Sequence, residues 1–166
     1  MPDVAANPGS IDFGNVFVGF PKLRELRVLN AGTDALIVTD VASSNPNFGV
    51  DQTSFTVPPL GQALVTVSYN PSSPAPDAGT LTVTSNDPDT PYLVVNLAGT
   101  GLIAPDIDPQ PVSVALTLPI PGTADRTVTL NNTGGSPLTF DTATLLTPAS
   151  VPIFEPIELG KDEPDP

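Results

Sequence analysis

The chain has 166 residues, enough for one domain of ordinary size or for two small ones. It contains no Cys and no His, which excludes disulfide bonds, thiol nucleophiles, imidazole metal ligands and any Ser–His or Cys–His catalytic pair. Eighteen acidic residues against five basic ones give a net charge of −13, which argues against binding to nucleic acid or to an anionic membrane surface.

We expect neither a signal peptide nor a membrane insertion in this chain. Its first residues, Met1 to Val4, include no basic and no apolar region of the kind that a signal peptide needs. No apolar run approaches the ~18–20 residues that a membrane-spanning helix requires. The absence of Cys is compatible with the cytosol and with a bacterial exterior, so composition leaves the localisation open.

Strands, rather than helices, are predicted along the first two thirds of the chain. The 22 prolines are spread so evenly that few helix-length stretches escape one, and Pro inside a helix costs ~3 kcal/mol. Alternating apolar runs recur between turn residues, at 10–14 with a continuation at 16–18, then at 26–28, at 36–41, over 48–57 in two short pieces (48–50 and 55–57), and at 65–69, 81–83 and 93–97. Seven short strands with turn signals about 8–12 residues apart predict an immunoglobulin-like seven-stranded antiparallel β-sandwich.

An internal repeat divides the chain. Residues 26–32 with Leu36 match residues 128–134 with Leu138 at a constant offset of 102. We therefore predict a complete sandwich at 1–103 and a partial second repeat at 104–166, which has room for three or four strands and ends in an acidic, Pro-rich tail. The prolines at positions 105, 109 and 111 predict a stiff, extended linker over 104–109.

Several motifs together resemble one family of immunoglobulin-like domains. They are Ile-Asp-Phe-Gly at 11–14, Leu-Asn-Ala-Gly at 29–32, Val-Thr-Val-Ser-Tyr-Asn-Pro at 65–71, Gly-Thr-Leu at 79–81, Ser-Asn-Asp-Pro-Asp at 85–89 and Leu-Ala-Gly-Thr-Gly at 97–101. As a set they resemble the abnormal-spindle/hydin type, called choice-of-anchor D in bacteria, over residues 8–101 and in part over 104–143. The resemblance implies a pilus-chaperone-like sandwich without enzymatic activity, used as a spacer or binding module in tandem arrays of exported or surface proteins.

Carboxylates are the only abundant ionisable groups, and oxygen ligands of this kind suit Ca²⁺. Asp87 and Asp89 share one loop, whereas Asp106 and Asp108 lie in the predicted linker. Strand order places the first pair at the end of the sandwich near the N-terminus and the second pair at the opposite end, ~17–20 Å away. The favoured interpretation is therefore a solvated acidic loop without a metal or cofactor, and calcium at these four residues is the alternative.

Two other functional interpretations find little support in the sequence. Paired carboxylates could serve glycoside hydrolysis, but the aromatic residues that would line a sugar cleft are expected in the core. The expected core aromatics are Phe13, Phe48, Phe55 and Tyr69.

The chain also has a basic cluster, formed by Lys22, Arg24 and Arg27. We interpret it as a solvated strand face because acidic residues surround it.

The leading hypothesis is a non-enzymatic structural or spacer module of a tandem-repeat protein, extracellular or on a cell surface, with the cytoplasm as the alternative location. The competing hypothesis is a protein-binding or adhesion module in which residues 104–166 self-associate through strand edges into a dimer or filament. A third alternative is that this segment packs against the first domain or stays partly disordered. The apolar positions that need covering are Val112, Val114, Leu116, Leu118, Val128, Leu130, Leu138, Phe140, Leu145 and Leu146.

Overall fold

The computed structural model describes residues 1–117 and 122–143. Residues 1–103 contain nine strands, and two short strands follow within the described part of the remaining chain. Their bounds are β1 (Val4–Asn7), β2 (Ser10–Phe17), β3 (Lys22–Asn30), β4 (Leu36–Ser43), β5 (Phe48–Val50), β6 (Phe55–Val57), β7 (Gln62–Tyr69), β8 (Pro76–Ser85), β9 (Tyr92–Leu102), β10 (Ile107–Gln110) and β11 (Thr129–Asn132).

The first nine strands form two sheets that face each other. One sheet has the order β1-β3-β7-β5 and the other has the order β2-β9-β8-β4-β6. All ladders are antiparallel except that between β2 and β9, which is parallel. The first strand of the sandwich changes sheets: β1 pairs with β3, and after a short connection β2 pairs with β9.

The core lies between the sheets and is built by the alternation of apolar residues along each strand. Leu26, Val65, Val67, Leu81 and Val95 are completely buried, because successive side chains of a strand point to opposite faces and these positions share the inner one. Burial of Val65, Val67 and Tyr69 confirms the alternation predicted over 65–69. An aromatic cluster fills one end of this core, with ring centroids 4.7–5.7 Å apart, formed by Phe13, Phe48 and Tyr69.

The predicted strands appear, but the predicted architecture needs correction. Nine strands replace the expected seven, because Val4–Asn7 forms an unexpected first strand and because β5 and β6 belong to different sheets. The sandwich is also mixed rather than purely antiparallel. Of the four aromatic residues expected in the core, three are buried, and Phe55 is partly buried against it.

The segment after residue 103 presents apolar side chains to solvent. β10 and β11 pair in an antiparallel ladder from Ile107↔Asn132 to Gln110↔Thr129, so part of the predicted linker is a strand. Val112 is 80% and Phe140 is 54% exposed. Among the other predicted apolar positions, Val114, Leu116, Val128 and Leu130 are also exposed, Leu138 is partly exposed, and Leu118, Leu145 and Leu146 lie outside the described residues.

Candidate functional site

The sandwich has two ends, and polar side chains close both of them. We call the end formed by the loops 31–35, 58–61 and 86–91 the N-terminal pole, because β1 begins there. We call the end formed by the loops 18–21, 44–47 and 70–75 the C-terminal pole, because β9 ends there. The candidate site has two parts. One is the N-terminal pole, and the other is the chain that follows β9, which ends at the C-terminal pole.

Asn30 organises the N-terminal pole through its side-chain amide. Its Oδ1 accepts hydrogen bonds from the backbone N–H groups of Asp3, at 3.2 Å, and Gly32, at 3.1 Å. Its Nδ2 donates to the carbonyl oxygens of Asp34 (2.8 Å), Val57 (3.2 Å) and Pro58 (3.1 Å). One buried side chain thus joins the start of the chain to two turns.

Gly32 completes this turn because a side chain there would have no room. A Cβ at Gly32 would lie 2.1 Å from the carbonyl oxygen of Met1 and 2.8 Å from the backbone nitrogen of Asp3. The first residues of the chain therefore lie directly on the turn that follows β3. A hydrogen bond from the Ala31 N–H to the Asp3 carbonyl oxygen, at 2.8 Å, extends the β1–β3 ladder to this point.

Three of these five bonds have counterparts around Asn132. Its Oδ1 accepts from the N–H groups of Asp106 and Gly134, both at 3.1 Å, and its Nδ2 donates to the Ser136 carbonyl oxygen at 2.8 Å. A Cβ at Gly134 would lie 2.2 Å from the carbonyl oxygen of Ala104. Residues 104–106 therefore lie against the turn 132–136 as residues 1–3 lie against the turn 30–34.

Asp87, one of the calcium candidates, is a buried carboxylate at the N-terminal pole. Its Oδ2 accepts the Val4 N–H at 2.8 Å, and its Oδ1 accepts the Asp89 N–H at 3.0 Å. The bond from Val4, the stronger influence, lowers the pKa of Asp87. Burial opposes this effect, and the bonds from Asp89 and Thr90 add to it. The carboxylate therefore attaches β1 to the loop between β8 and β9.

The other calcium candidates are engaged locally or exposed to solvent. Asp106 Oδ2 accepts from Thr133 Oγ1 at 2.8 Å, and Asp108 Oδ1 accepts from Gln110 Nε2 at 2.8 Å. Asp89 is exposed. In residues 1–117 and 122–143, no three carboxylates converge in a group that could hold a metal ion. The calcium alternative stays a prediction that only metal binding can decide.

A second polar network closes the C-terminal pole, and sequence reasoning missed it. The buried Tyr69 hydroxyl donates to Asp77 Oδ2 at 2.8 Å, and the Asn47 and Asn45 amides donate to the same carboxylate at 2.8 and 3.4 Å. Burial, with help from Asp77, raises the pKa of Tyr69 to about 12. Burial would raise the pKa of Asp77, but the three hydrogen bonds outweigh it and lower that pKa. Asn45, Asn47 and Asp77 had no distinguishing sequence signal.

The basic cluster divides into residues with different surroundings. Lys22 Nζ donates to the Phe13 carbonyl oxygen at 2.6 Å, which ties β3 to β2 across the sandwich. Arg24 and Arg27 are exposed. Leu23, Arg24, Glu25 and Thr66 line a shallow surface depression beside them. The predicted solvated strand face is therefore correct for the two arginines.

The most enclosed ionisable groups of the described residues connect segments of the fold. The buried Asp87 and Tyr69 and the partly buried Asp77 are engaged in hydrogen bonds between these segments. No helix suited to crossing a membrane occurs in residues 1–117 or 122–143. The arrangement can hold strands and turns together and can present strand edges to other chains.

Comparison with solved structures confirms the fold. A protein of unknown function from Porphyromonas gingivalis W83 matches with a TM-score of 0.53 and 19% identity, over 60% of this chain and 46% of that one. The chain thus spans about half the length of that protein. The ASH/PapD-like domain (PapD-like domain 7) of human CEP192 matches with a TM-score of 0.50 and 16% identity, over 60% of this chain and 84% of that domain.

Sequence comparison identifies the family. No curated protein matches the sequence. The family model for the ASH domain, described as abnormal spindle-like microcephaly-associated, ASPM-SPD-2-Hydin, matches residues 2–91. This match covers more than half of the chain and includes the Asn30 turn, the Tyr69–Asp77 network and Asp87, and on this basis the chain belongs to the ASH family.

Proposed function

We propose that the protein is a non-enzymatic structural or spacer module of a tandem-repeat protein, with a complete unit at residues 1–103 and the start of a second unit at 104–166. ASH domains are a type of protein-interaction module. The observation that carries the proposal is the repetition of three Asn30 bonds at Asn132, because each amide binds both the residue that precedes a strand and the glycine of a turn.

The junction supports a spacer because little of it is free to move. β9 ends at Leu102, and Ser136 Oγ already donates to the carbonyl oxygen of Ile103. The Gly135 N–H donates to the Ala104 carbonyl oxygen at 3.3 Å. Three of the four residues 103–106 are hydrogen-bonded to the turn 132–136, which favours a connection stiffer than a flexible linker of similar length.

A distance measurement between two spin labels tests this proposal. Because the chain has no Cys, labels at Thr39→Cys and Thr127→Cys are unique, and both positions are exposed. We expect a narrow distance distribution that broadens in Asn132→Ala. Insertion of two glycines after Leu102 serves as the flexible control. A wild-type distribution as broad as that of the control would contradict the spacer function.

The location of the protein is also part of the proposal. We propose an extracellular or cell-surface position, in keeping with the tandem arrays that the family resemblance implies and with an acidic surface that keeps neighbouring modules apart. An antibody against the folded protein should label intact cells of the source organism. Labelling only after permeabilisation would favour the cytoplasmic alternative.

A second candidate function is self-association through residues 104–166, and the exposure of Val112 and Phe140 favours it. Exposed apolar positions beside a two-stranded sheet can pair with another chain. Light scattering over a dilution series should then show a dimer or larger species whose mass falls on dilution. A monomeric mass at every concentration, with residues 104–143 protected from protease, would exclude it.

A further inference from the structure

One side of β3 is paired over only part of its length. The Asn30 N–H donates to the Gly61 carbonyl oxygen at 3.0 Å, in line with the β3–β7 register. Peptide groups alternate in direction along an antiparallel strand, so those of residues 28, 26 and 24 also face β7. The N–H and C=O groups of Leu23 and Glu25 therefore face the opposite side.

β1 covers that opposite side only in part. Its ladder with β3 ends at Asn7↔Arg27, because the chain then crosses to the other sheet. Within residues 1–117 and 122–143, no strand pairs with residues 22–26 on the β1 side. We call residues 22–26 the open edge of β3.

The other edges of the two sandwich sheets are short, irregular or covered, which sets the open edge apart from them. The β7 edge beyond β5 is covered by side chains, since the Thr66 N–H donates to Asp51 Oδ1 at 2.9 Å and Gln52 Nε2 donates to the Leu64 carbonyl oxygen at 2.6 Å. β5 and β6 have three residues each. β2 is broken by a register shift next to Gly14, whose φ is 64°. Short strands, irregularities and covering groups are the usual protection of an edge.

The open edge carries charge opposite to that of the rest of the protein. The chain has five basic residues, and three of them are in β3. Within the described residues neither Arg24 nor Arg27 forms an ion pair within 4 Å, despite the excess of carboxylates. Leu23 is 61% exposed and lines the depression next to these arginines.

We propose that the open edge of β3 binds an extended acidic segment of a partner protein, which adds a strand to the β1-β3-β7-β5 sheet. The peptide groups of Leu23 and Glu25 supply the ladder, and Leu23 supplies an apolar contact. Arg24 lies opposite Val67 and Arg27 lies opposite Leu64, so the two arginines are on opposite faces of the sheet. Acidic residues on both faces of the added strand can therefore pair with them.

Charge also determines which strands the edge rejects. Two open edges from two copies of this protein would bring arginines together, and like charges directly opposite each other on paired strands are destabilising. An acidic strand has no such penalty. This inference concerns the open edge of β3 and the adjoining Arg27, and it does not depend on the spacer function.

The test uses a fluorescent peptide of about eight residues, enough to cover the edge, in which pairs of adjacent glutamates are separated by valine and threonine so that both faces of the strand carry acidic side chains. We expect saturable binding by fluorescence anisotropy in about 20 mM salt, where charge pairs are weakly screened. Arg24→Glu combined with Arg27→Glu should weaken binding at least about tenfold. Arg126→Glu, an exposed arginine outside β3, is the charge control and should bind like the wild type.

A second pair of variants tests strand addition itself. Glu25→Pro removes an N–H group that faces the edge while leaving the β3–β7 ladder intact, and Pro is tolerated on an edge strand. Glu25→Gln also removes the negative charge but keeps the N–H. We expect Glu25→Pro to abolish binding and Glu25→Gln to preserve or strengthen it. Thermal melts of all variants check that they are folded.

Three results would overturn the proposal. They are absence of binding by the folded wild type, equal loss of binding in Arg126→Glu and in the double variant, and equal binding by Glu25→Pro and Glu25→Gln. Hydrogen exchange gives an independent measurement, since the amides of Leu23 and Glu25 should become protected when the peptide binds. Binding without that protection would show a purely electrostatic contact and would also overturn strand addition.

Discussion

Replacing Asn30 with alanine should destabilise the first sandwich strongly. The substitution removes five hydrogen-bond contacts, of which about four can form at full strength, because Nδ2 has two hydrogens for its three acceptors. At a net ~0.5–1 kcal/mol for each of these mostly part-buried bonds, the expected loss is about 2–4 kcal/mol. Domains of this size have a total stability of ~5–15 kcal/mol, so the effect is a large fraction of it.

Urea unfolding followed by far-UV circular dichroism measures this loss, and the midpoint should fall by about 1–2 M. Asn132→Ala is the matched control because it removes three similar bonds at an exposed position. It should leave the main transition unchanged. A loss below about 0.5 kcal/mol in Asn30→Ala, the scale of ordinary surface substitutions, would refute the assigned role of this side chain.

Three further predictions concern the same sandwich. Val67→Asp should prevent folding, because a buried unpaired carboxylate costs several kcal/mol, whereas the outward-facing Thr66→Asp should remain folded by circular dichroism. The pKa of Asp87 is lowered, so this carboxylate stabilises the folded state above its ordinary pKa near 4, and the stabilisation is lost as the pH falls through the lowered pKa. In Asp87→Asn the free energy of unfolding should therefore fall less steeply with decreasing pH than in the wild type. An unchanged slope of unfolding free energy against pH would contradict this. Gly99→Ala would place a Cβ 2.4 Å from the Tyr69 ring and should cost ~1–3 kcal/mol in the same urea assay, with an unchanged midpoint as the contrary result.

The strands of the core could be predicted because their signal is local. Val65, Val67 and Tyr69 alternate with polar residues, and this period of two predicts both the strand and its buried face. β1 gave no such signal, since it is the short sequence Val-Ala-Ala-Asn with low β propensity. It is a strand because β3 and the Asp87 carboxylate supply partners for its peptide groups.

The polar networks could not be predicted because their partners are remote in sequence. Asp87 and Asp89 look alike in sequence, yet only Asp87 meets the Val4 N–H, which is 83 positions away in the chain. Tyr69 was correctly expected in the core, but the sequence did not indicate that its hydroxyl donates to the Asp77 carboxylate. Pairing of this kind follows from the packing of loops at one end of the sandwich, and residue spacing does not encode it.

Two of these networks attach the residues that precede β1 and β10 to the turns that follow β3 and β11. The first three residues are held by Asn30, so they belong to the sandwich rather than to a connection that precedes it. By the same bonds, residues 104–106 belong with the turn around Asn132. The prolines predict a stiff, extended linker over 104–109, and the hydrogen bonds of Ile103, Ala104 and Asp106 favour the same stiffness. We therefore expect substitutions in the turn 132–136 to loosen this junction without unfolding the first sandwich.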